Sequence, residues 1–160
     1  MKPTLALAAD HRGFGLKKKI IELLRQKGIR VLDFGTDSEK SCDYPDYILK
    51  AAEAVKGGKA DQAIAVCHSG IGSAIVANKV KGIRAALVHN VKEAELARAH
   101  NDANMLVLGA GFVKPSAAKK IVQIWLTTNF EGGRHARRVN KIIRYENGKQ
   151  IFFSSAKNRS

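Results

Sequence analysis

The feature that most constrains the fold is the alternation of short apolar runs with longer amphipathic segments. Apolar runs predict strands over residues 4–9, 29–33, 63–67, 83–88 and 104–108. Apolar stripes at helical spacing predict helices over residues 14–27, 45–55, 71–79, 91–100, 115–129 and 135–145. Such alternation is typical of parallel βαβ units, whose right-handed crossovers place helices on both faces of an open sheet. We therefore predict an α/β fold: a single-domain, Rossmann-like three-layer sandwich with a five-stranded parallel sheet and helices on both faces.

The chain length of 160 residues suits one domain with a single hydrophobic core. No internal repeat, low-complexity tract or interdomain linker divides it. We predict one domain over residues 1–146 and a C-terminal extension over residues 147–160. The extension is polar at its end, and we expect it to be partly flexible or to dock on a neighbouring subunit through its apolar residues 151–153.

The charge of the chain points to an anionic partner. The formal net charge is +14, and residues 132–160 alone hold eight Lys/Arg and one Glu. Nucleic acid and a small phosphate ester both fit such a charge. However, the basic residues are not interleaved with aromatic residues that could stack on bases, so we do not expect nucleic acid to be the main partner.

Hydropathy and cysteine usage indicate a cytoplasmic protein. No apolar run approaches the ~18 residues that a membrane span needs. The first apolar run stops at Asp10, too early for the core of a signal peptide, so we expect neither export nor membrane insertion. Only two cysteines occur, Cys42 and Cys67, and a small secreted scaffold usually has more. We predict free thiols in a reducing, cytoplasmic setting.

Polar residues collect where the predicted strands end. Open parallel sheets bind ligands beyond the carboxyl ends of their strands. Asp10 and His11 follow the first strand, residues 67–70 (Cys-His-Ser-Gly) close the third, and His89 with Asn90 follows the fourth. We also expect residues 100–102 (His-Asn-Asp) to lie at a ligand-facing end of the sheet.

Cys67 has two interpretations. A lone cysteine at a strand end is often a buried and inert core residue. Here it is followed by HSGIGS and a predicted helix start, where free N–H groups favour a reactive thiolate and could hold an oxyanion of a substrate. We favour the functional interpretation. His11 and His100 could simply cap helices or face solvent, but two histidines near one site could also move protons near neutral pH, as the opening of a sugar ring requires.

Three further patterns in the sequence bear on the site. In EGGRHARRV, Arg134 and Arg138 lie four residues apart and would form a phosphate clamp on one helix face, although a solvated basic helix fits equally well. No His or Cys pair has zinc-site spacing, so we expect no metal. Gly13-Phe14-Gly15 imitates a dinucleotide fingerprint with Asp33 beyond it, but Lys18 stands at the third glycine position, and the match is weak.

The motifs ADHRGFGLKK, DFGT, DYPDY, CHSGIGSAIVANKVKGIRAAL, ARAHNDANMLVLGA and NFEGGRHARRV follow one another at characteristic spacing. Together they resemble the B-type ribose-5-phosphate isomerase family, which also includes galactose-6-phosphate and allose-6-phosphate isomerases. The resemblance covers roughly residues 3–140. It implies that residues 1–146 form a sugar-phosphate isomerase domain. The implied reaction interconverts an aldose phosphate and a ketose phosphate through a cis-enediolate, with no metal or cofactor.

The resemblance also implies roles for individual residues. Cys67 would be the base that carries a proton between C1 and C2, and His100 would open the furanose ring with Asp43 and Tyr44 close by. The enediolate oxygen would be held by backbone N–H groups of the loop Ser69, Gly70, Ile71, Gly72 and Ser73. Asp10 would hold a sugar hydroxyl, and Asn101 would orient the sugar. His11, Arg134 and Arg138 would bind the phosphate.

Members of the family are dimers or tetramers with sites shared across the dimer interface, which implies that some of these residues come from a second subunit. Two positions depart from the family pattern. His68 stands where a glycine is usual, and Gly111 stands where many members have a phosphate-binding arginine. Either Lys114 or another basic residue compensates, or the substrate differs. We expect ribose 5-phosphate and ribulose 5-phosphate as the reacting pair, with a six-carbon sugar phosphate or a non-catalytic binding function as alternatives.

Overall fold

A five-stranded parallel sheet lies between two layers of helices, as the computed structural model shows for residues 2–150. The strands are β1 (Thr4–Ala9), β2 (Arg30–Asp33), β3 (Gln62–Cys67), β4 (Ala85–Leu87) and β5 (Met105–Gly109). The helices are α1 (Phe14–Gln26), α2 (Tyr44–Lys56), α3 (Ile71–Ala77), α4 (Val91–Asn101), α5 (Pro115–Thr127) and α6 (Gly133–Glu146). The predicted fold class is confirmed. The part of the C-terminal extension over residues 151–160 lies outside the described residues.

The strand order β2-β1-β3-β5-β4 places a topological switch point between β1 and β3. The chain leaves β1 toward β2 on one side and returns to β3 on the other. Helices α1 and α4 connect strands in the direction of the β2 edge of the sheet, and they pack with α5 on one face. Helices α2 and α3 connect strands in the direction of the β4 edge, and they pack on the other face. This segregation follows from a single, right-handed crossover sense. Ligands bind open sheets at such switch points, so the carboxyl ends of β1 and β3 are the expected site.

Side-chain size alternates along the central strands. Leu5 and Leu7 of β1 face the layer of α1, α4 and α5, whereas Ala6 and Ala8 face α2 and α3. Alternation between the two faces recurs in β3 and β5, because successive side chains of a strand point to opposite faces, although β5 places large side chains on both faces. All of these residues are fully buried, which is why their sequences read as continuous apolar runs. The face that holds Leu5 and Leu7 also holds the fully buried Trp125, whose indole N–H donates to Gln62 Oε1 at 2.8 Å.

All element boundaries agree with the predictions within two residues, and β4 differs most in relative length. It spans three residues rather than the six predicted over 83–88. A turn at Gly82, where φ is +86°, is followed by a hydrogen bond from the Ile83 N–H to the Val80 carbonyl, so the strand starts late. Asn78 follows α3 and joins this helix to β4. Its side-chain amide donates to the Ala85 carbonyl and accepts from the Ala85 N–H. Within residues 2–150 no helix is long and apolar enough to cross a membrane.

Candidate active site

The turn after β1 brings Asp10 to the switch point. A Cβ atom at Gly13 would lie 2.3 Å from the Val66 carbonyl oxygen, so only glycine lets this turn pack directly on β3. Asp10 is 6% exposed, and its Oδ1 accepts hydrogen bonds from the N–H groups of Arg12 and Gly13, each at 2.9 Å. Both bonds use the same oxygen. Oδ2 therefore has capacity to accept a further hydrogen bond from a ligand hydroxyl.

His11, the next residue, is oriented by the loop before α2. The backbone N–H of Cys42 donates to His11 Nδ1 at 3.2 Å, and Cys42 Sγ lies 3.8 Å from the same nitrogen. A backbone N–H can only donate, so Nδ1 acts as the acceptor. The ring proton is then on Nε2, which can donate to an anionic oxygen. No pattern in the sequence indicates that Cys42 sets this tautomer.

Cys67 closes β3 beside Gly109 of β5 and is 5% exposed. Its Sγ accepts a hydrogen bond from the N–H of Gly70 at 3.1 Å. Gly70 has φ of +80°, and a Cβ there would lie 2.3 Å from Leu87 Cδ1, so both backbone and packing require glycine. This left-handed turn is what aims the N–H at the sulfur. The hydrogen bond also orients the sulfur, which is the atom that a cysteine uses as nucleophile or base.

The loop after Cys67 contains two serine hydroxyl groups. Ser69 Oγ accepts from the Ile71 N–H at 3.2 Å. Ser73 is fully buried, and its Oγ has no hydrogen-bond partner within the described part of the chain. The ring of Tyr44 packs on Gly72, where a Cβ would lie 2.7 Å from the Tyr44 hydroxyl oxygen.

Asp43 begins α2 without capping it. Its backbone is in the N-cap position, but its side chain makes no cap hydrogen bond. An aspartate at this position usually accepts from the first turn of the helix. The exposed Asp43 carboxylate, next to Tyr44, is therefore free to contact a ligand. One group of predicted site residues thus meets at the carboxyl ends of β1 and β3: Asp10, His11, Asp43, Tyr44, Cys67 and residues 69–73.

His100 and Asn101 lie elsewhere, and their expected place at the ligand-facing end of the sheet is wrong. Helix α4 starts after the carboxyl end of β4 and runs back along the sheet for 11 residues, about 16 Å. Its last turn is joined to the amino end of β4, because Arg84 Nε donates to the Asn101 carbonyl at 3.0 Å. Helix direction explains the error: a helix that follows one strand of a βαβ unit ends where the next strand begins.

His100 instead belongs to a cluster with α6. Its ring stacks on that of His135, with centroids 4.0 Å apart and planes 6° apart. Glu131 Oε2 lies 3.7 Å from His100 Nε2 and 3.5 Å from His135 Nε2, and the Glu131 N–H donates to the Ala99 carbonyl. Burial lowers the pKa of His135, and the neighbouring His100 and Arg134 lower it further, while Glu131 opposes them. Together these effects favour the neutral form of His135.

The same cluster is the group of potential metal ligands among residues 2–150, since the ligand atoms of His100, Glu131 and His135 lie within 4.8 Å of one another. Its geometry does not suit an ion. Imidazole donates a lone pair in the plane of its ring, at ~2.0–2.1 Å from zinc. Two rings stacked in nearly parallel planes cannot both direct lone pairs at one ion. We therefore assign no metal to the cluster.

Arg134 and Arg138 both lie within α6, which begins at Gly133. Their spacing of four residues places them on one helix face, as the sequence predicted. Arg134 Nε lies 3.4 Å from His135 Nε2, so Arg134 adjoins the stacked rings of His100 and His135. A second group of predicted site residues thus gathers around the end of α4 and the start of α6: His100, Asn101, Arg134 and Arg138. Glu131 and His135 join it, and sequence reasoning had missed both.

Two other sequence signals have structural roles. Lys17 is 2% exposed, and its ammonium group donates to both carboxylate oxygens of Asp33 and to the Thr36 carbonyl at 2.7–2.8 Å. Asp33 is therefore engaged by Lys17, which removes the acceptor that a dinucleotide ribose would need. At the start of α4, the Asn90 side chain accepts from the Glu93 N–H, and Glu93 in turn accepts from the His89 N–H. That hydrogen bond lowers the pKa of Glu93, and the residues form a helix cap.

This chain is similar to known proteins in sequence and fold. Residues 5–142 match the family model described as Ribose/Galactose Isomerase. The ribose-5-phosphate isomerase B of Escherichia coli is 44% identical over 142 residues, covering 89% of this chain and 95% of that protein.

Solved structures are similar throughout. A Clostridium thermocellum ribose-5-phosphate isomerase B has a TM-score of 0.89 at 48% identity, covering 91% of this chain and 98% of the other. The Mycoplasma genitalium enzyme, solved with bound ribulose 5-phosphate, has a TM-score of 0.86 at 46% identity, covering 90% and 96%. On the strength of the family model, the identities and the shared fold, the chain belongs to the ribose/galactose isomerase family.

Proposed function

We propose that this protein is an aldose–ketose isomerase of sugar phosphates, with ribose 5-phosphate and ribulose 5-phosphate as its reacting pair. The observation that carries the proposal is the hydrogen bond from the Gly70 N–H to Cys67 Sγ at the switch point of the sheet. A core cysteine needs no such donor, whereas a catalytic base benefits from one. The relatives named ribose-5-phosphate isomerase B support the choice of substrate.

In the proposed reaction the Cys67 thiolate removes the proton from C2 of the open-chain aldose. The electron pair forms the C1–C2 double bond of a cis-enediolate, and its negative charge rests on oxygen. Backbone N–H groups of residues 69–73, with Ser69, surround that oxygen, because fixed dipoles stabilise charge that develops in the transition state. The cysteine then returns the proton to C1, the hydroxyl proton moves from O2 to O1, and the ketose is complete.

The remaining residues hold the sugar and open its ring. Asp10 Oδ2 accepts from a sugar hydroxyl, and His11 Nε2–H donates to the phosphate. His100 transfers a proton at the ring oxygen, assisted by Asp43 and Tyr44. Asn101 orients the sugar, and the guanidinium groups of Arg134 and Arg138 hold the phosphate. No metal ion or cofactor takes part in this scheme.

This scheme requires two copies of the chain. Cys67 lies at the carboxyl ends of the strands, and His100 lies at the far end of α4, about a helix length away within one subunit. We propose a homodimer, alone or within a tetramer, in which the Cys67 group of one copy faces the His100 group of its partner. Exposed apolar side chains suit such an assembly: Ile71 and Ile75 on α3 are 57% and 58% exposed beside the Cys67 loop.

A turnover assay tests the proposal. Purified protein is offered ribose 5-phosphate, allose 6-phosphate and galactose 6-phosphate separately, without added metal, and ketose formation is followed. We expect conversion of ribose 5-phosphate by the wild type and its loss in Cys67→Ala. Cys42→Ala is the matched control, since it removes the other thiol but keeps the N–H that contacts His11. Preference for a six-carbon substrate revises the substrate, and full activity in Cys67→Ala refutes the mechanism.

A ligand that binds tightly and is never converted would favour the non-catalytic alternative, and calorimetry separates these cases. The proposed setting is the cytoplasm, where both thiols stay reduced. The proposed partner is a small sugar phosphate rather than nucleic acid. An electrophoretic shift of RNA or DNA at physiological salt would contradict that choice.

A further inference from the structure

His68 and Gly111 fill one space together. A Cβ atom built on Gly111 would lie 2.6 Å from His68 Cε1 and about as close to both ring nitrogens, at 3.0 and 3.1 Å. Gly111 has no left-handed backbone, so a side chain there would meet no backbone strain but would have to displace the imidazole ring of His68. The two loops are held together by hydrogen bonds from the Ala110 N–H to the Cys67 carbonyl and from the Gly111 N–H to the His68 carbonyl.

The ring of His68 also faces a second basic group. Arg12 Nη2 donates a hydrogen bond to His68 Nδ1 at 3.5 Å, because a guanidinium can only donate, so the ring N–H that is left for a ligand is on Nε2. Arg12 belongs to the turn after β1, and its backbone N–H donates to Asp10, but within residues 2–150 its guanidinium makes no ion pair with a carboxylate. Two basic side chains that face each other without an acidic partner gain most from an anion bound between them.

This basic pair lies at the mouth of the candidate site. Arg12 follows β1 and His68 follows Cys67 of β3, so the pair spans the switch point where ligands of open sheets bind. The His68 side chain is exposed and therefore reachable from solvent. Phe112, which is 68% exposed, borders the ring on its other side, with centroids 6.2 Å apart.

We propose that Arg12 and His68 form a phosphate-binding pair of this active site, and that Gly111 is the residue that makes room for it. The occupant is the phosphate group of the sugar phosphate, so the inference rests on the proposed function. A guanidinium offers two parallel N–H donors and the imidazole a third, which suits the three terminal oxygens of a phosphate monoester. The pair adds to His11 on the subunit that supplies Cys67.

The proposal predicts that substitutions at 68 and 111 are strongly non-additive. His68→Gly removes one donor to an anion and should weaken phosphate binding about tenfold, the factor expected for one charge-assisted hydrogen bond. Gly111→Arg alone displaces the His68 ring and should weaken binding similarly. In the double variant the new arginine enters the space that the ring leaves, so binding should return to within about threefold of wild type.

The experiment measures inorganic phosphate binding by calorimetry and ribose 5-phosphate turnover with the same preparations. The variants are His68→Gly, Gly111→Arg, their combination, Arg12→Ala and Lys114→Ala, with Lys119→Ala at an exposed position of α5 as a control for net charge. Thermal unfolding shows which variants are folded, and Arg12→Ala tests the pair without touching the 68–111 contact. We expect higher KM with little change in kcat in His68→Gly and Arg12→Ala, because binding that is equal in ground and transition states affects KM alone.

Two results would overturn the inference. One is unchanged phosphate affinity in folded His68→Gly and Arg12→Ala. The other is a loss confined to Lys114→Ala, which would identify Lys114 as the compensating basic residue. Failure of the isomerase proposal would look different. Wild type would then show no turnover, while its phosphate binding would still depend on Arg12 and His68.

Discussion

Mixing two inactive variants should restore activity if each site is built from two copies of the chain. Cys67→Ala removes the base at the carboxyl end of β3, and His100→Ala removes the ring-opening group at the end of α4. Within one subunit the 11 residues of α4, about 16 Å of helix, separate these two regions. A heterodimer of the two variants has one site that lacks both groups and one site that is intact.

The size of the effect follows from counting sites. Random exchange of equal amounts gives about half heterodimers, and half of their sites are intact, so the mixture should reach about one quarter of wild-type activity. Heterodimers isolated with two different affinity tags should reach about one half. A dimer of dimers gives the same fractions, because each site still needs one pair of subunits.

The assay follows ribulose 5-phosphate formation after the variants are unfolded together and refolded, or after they are co-expressed. Each variant refolded alone is the control for residual activity, and wild type refolded alone corrects for losses. Activity of the mixture equal to the mean of the two parents would refute the shared site. It would mean that Cys67 and His100 act within one chain or that one of them is not catalytic.

Two further predictions concern stability. Gly70→Ala should lower the free energy of unfolding by about 2–5 kcal/mol, because an alanine in a left-handed backbone costs ~1–2 kcal/mol and its contact with Leu87 costs ~1–3 kcal/mol. Urea titration measures this free energy. A loss below about 1 kcal/mol would contradict a backbone and packing requirement for glycine at this turn. The unfolding temperature of wild type should fall as the pH is lowered below about 6.5, and in His135→Gln it should fall less over the same range. Because the pKa of His135 is lowered in the folded protein, the unfolded chain binds more protons in that pH range, so the stability of wild type decreases as the pH falls. Equal pH profiles of unfolding temperature for the two proteins would show that His135 is not the cause.

The sequence was informative wherever local pattern determines structure. The apolar runs of β1, β3 and β5 are buried on both faces, so each read as a strand without reference to its partners. Cys67 could be placed at a ligand-binding end because a strand end followed by glycines and a helix start is a local signal. The Arg134–Arg138 spacing was likewise enough to place both residues on one helix face.

The rest depended on which strands are neighbours. The order β3-β5-β4 cannot be derived from chain order, and it is this order that brings His68 beside Gly111. The contact of Cys42 with His11 depends on the path of a loop that has no periodic pattern. The misplaced His100 is different, since the direction of α4 follows from the βαβ connection and the sequence contained the information.

The charge pattern also had to be seen in three dimensions. Residues 132–160 were read as a basic segment, but α6 within it packs by way of His135 and Val139, which are 5% and 4% exposed. Its Glu146 accepts from the Gly82 N–H at 2.9 Å, which joins the end of α6 to the loop before β4. The basic segment therefore packs on the rest of the fold up to the end of α6.

The central claim is that the Cys67 thiolate transfers the proton between C1 and C2, and isotope exchange tests it most directly. The protein is incubated with ribose 5-phosphate in D2O, and deuterium at C1 and C2 is followed by proton NMR. The account predicts that wild type and Cys42→Ala introduce deuterium while they interconvert the sugars, and that Cys67→Ala does neither. Deuterium exchange that continues in folded Cys67→Ala would show that another group is the base.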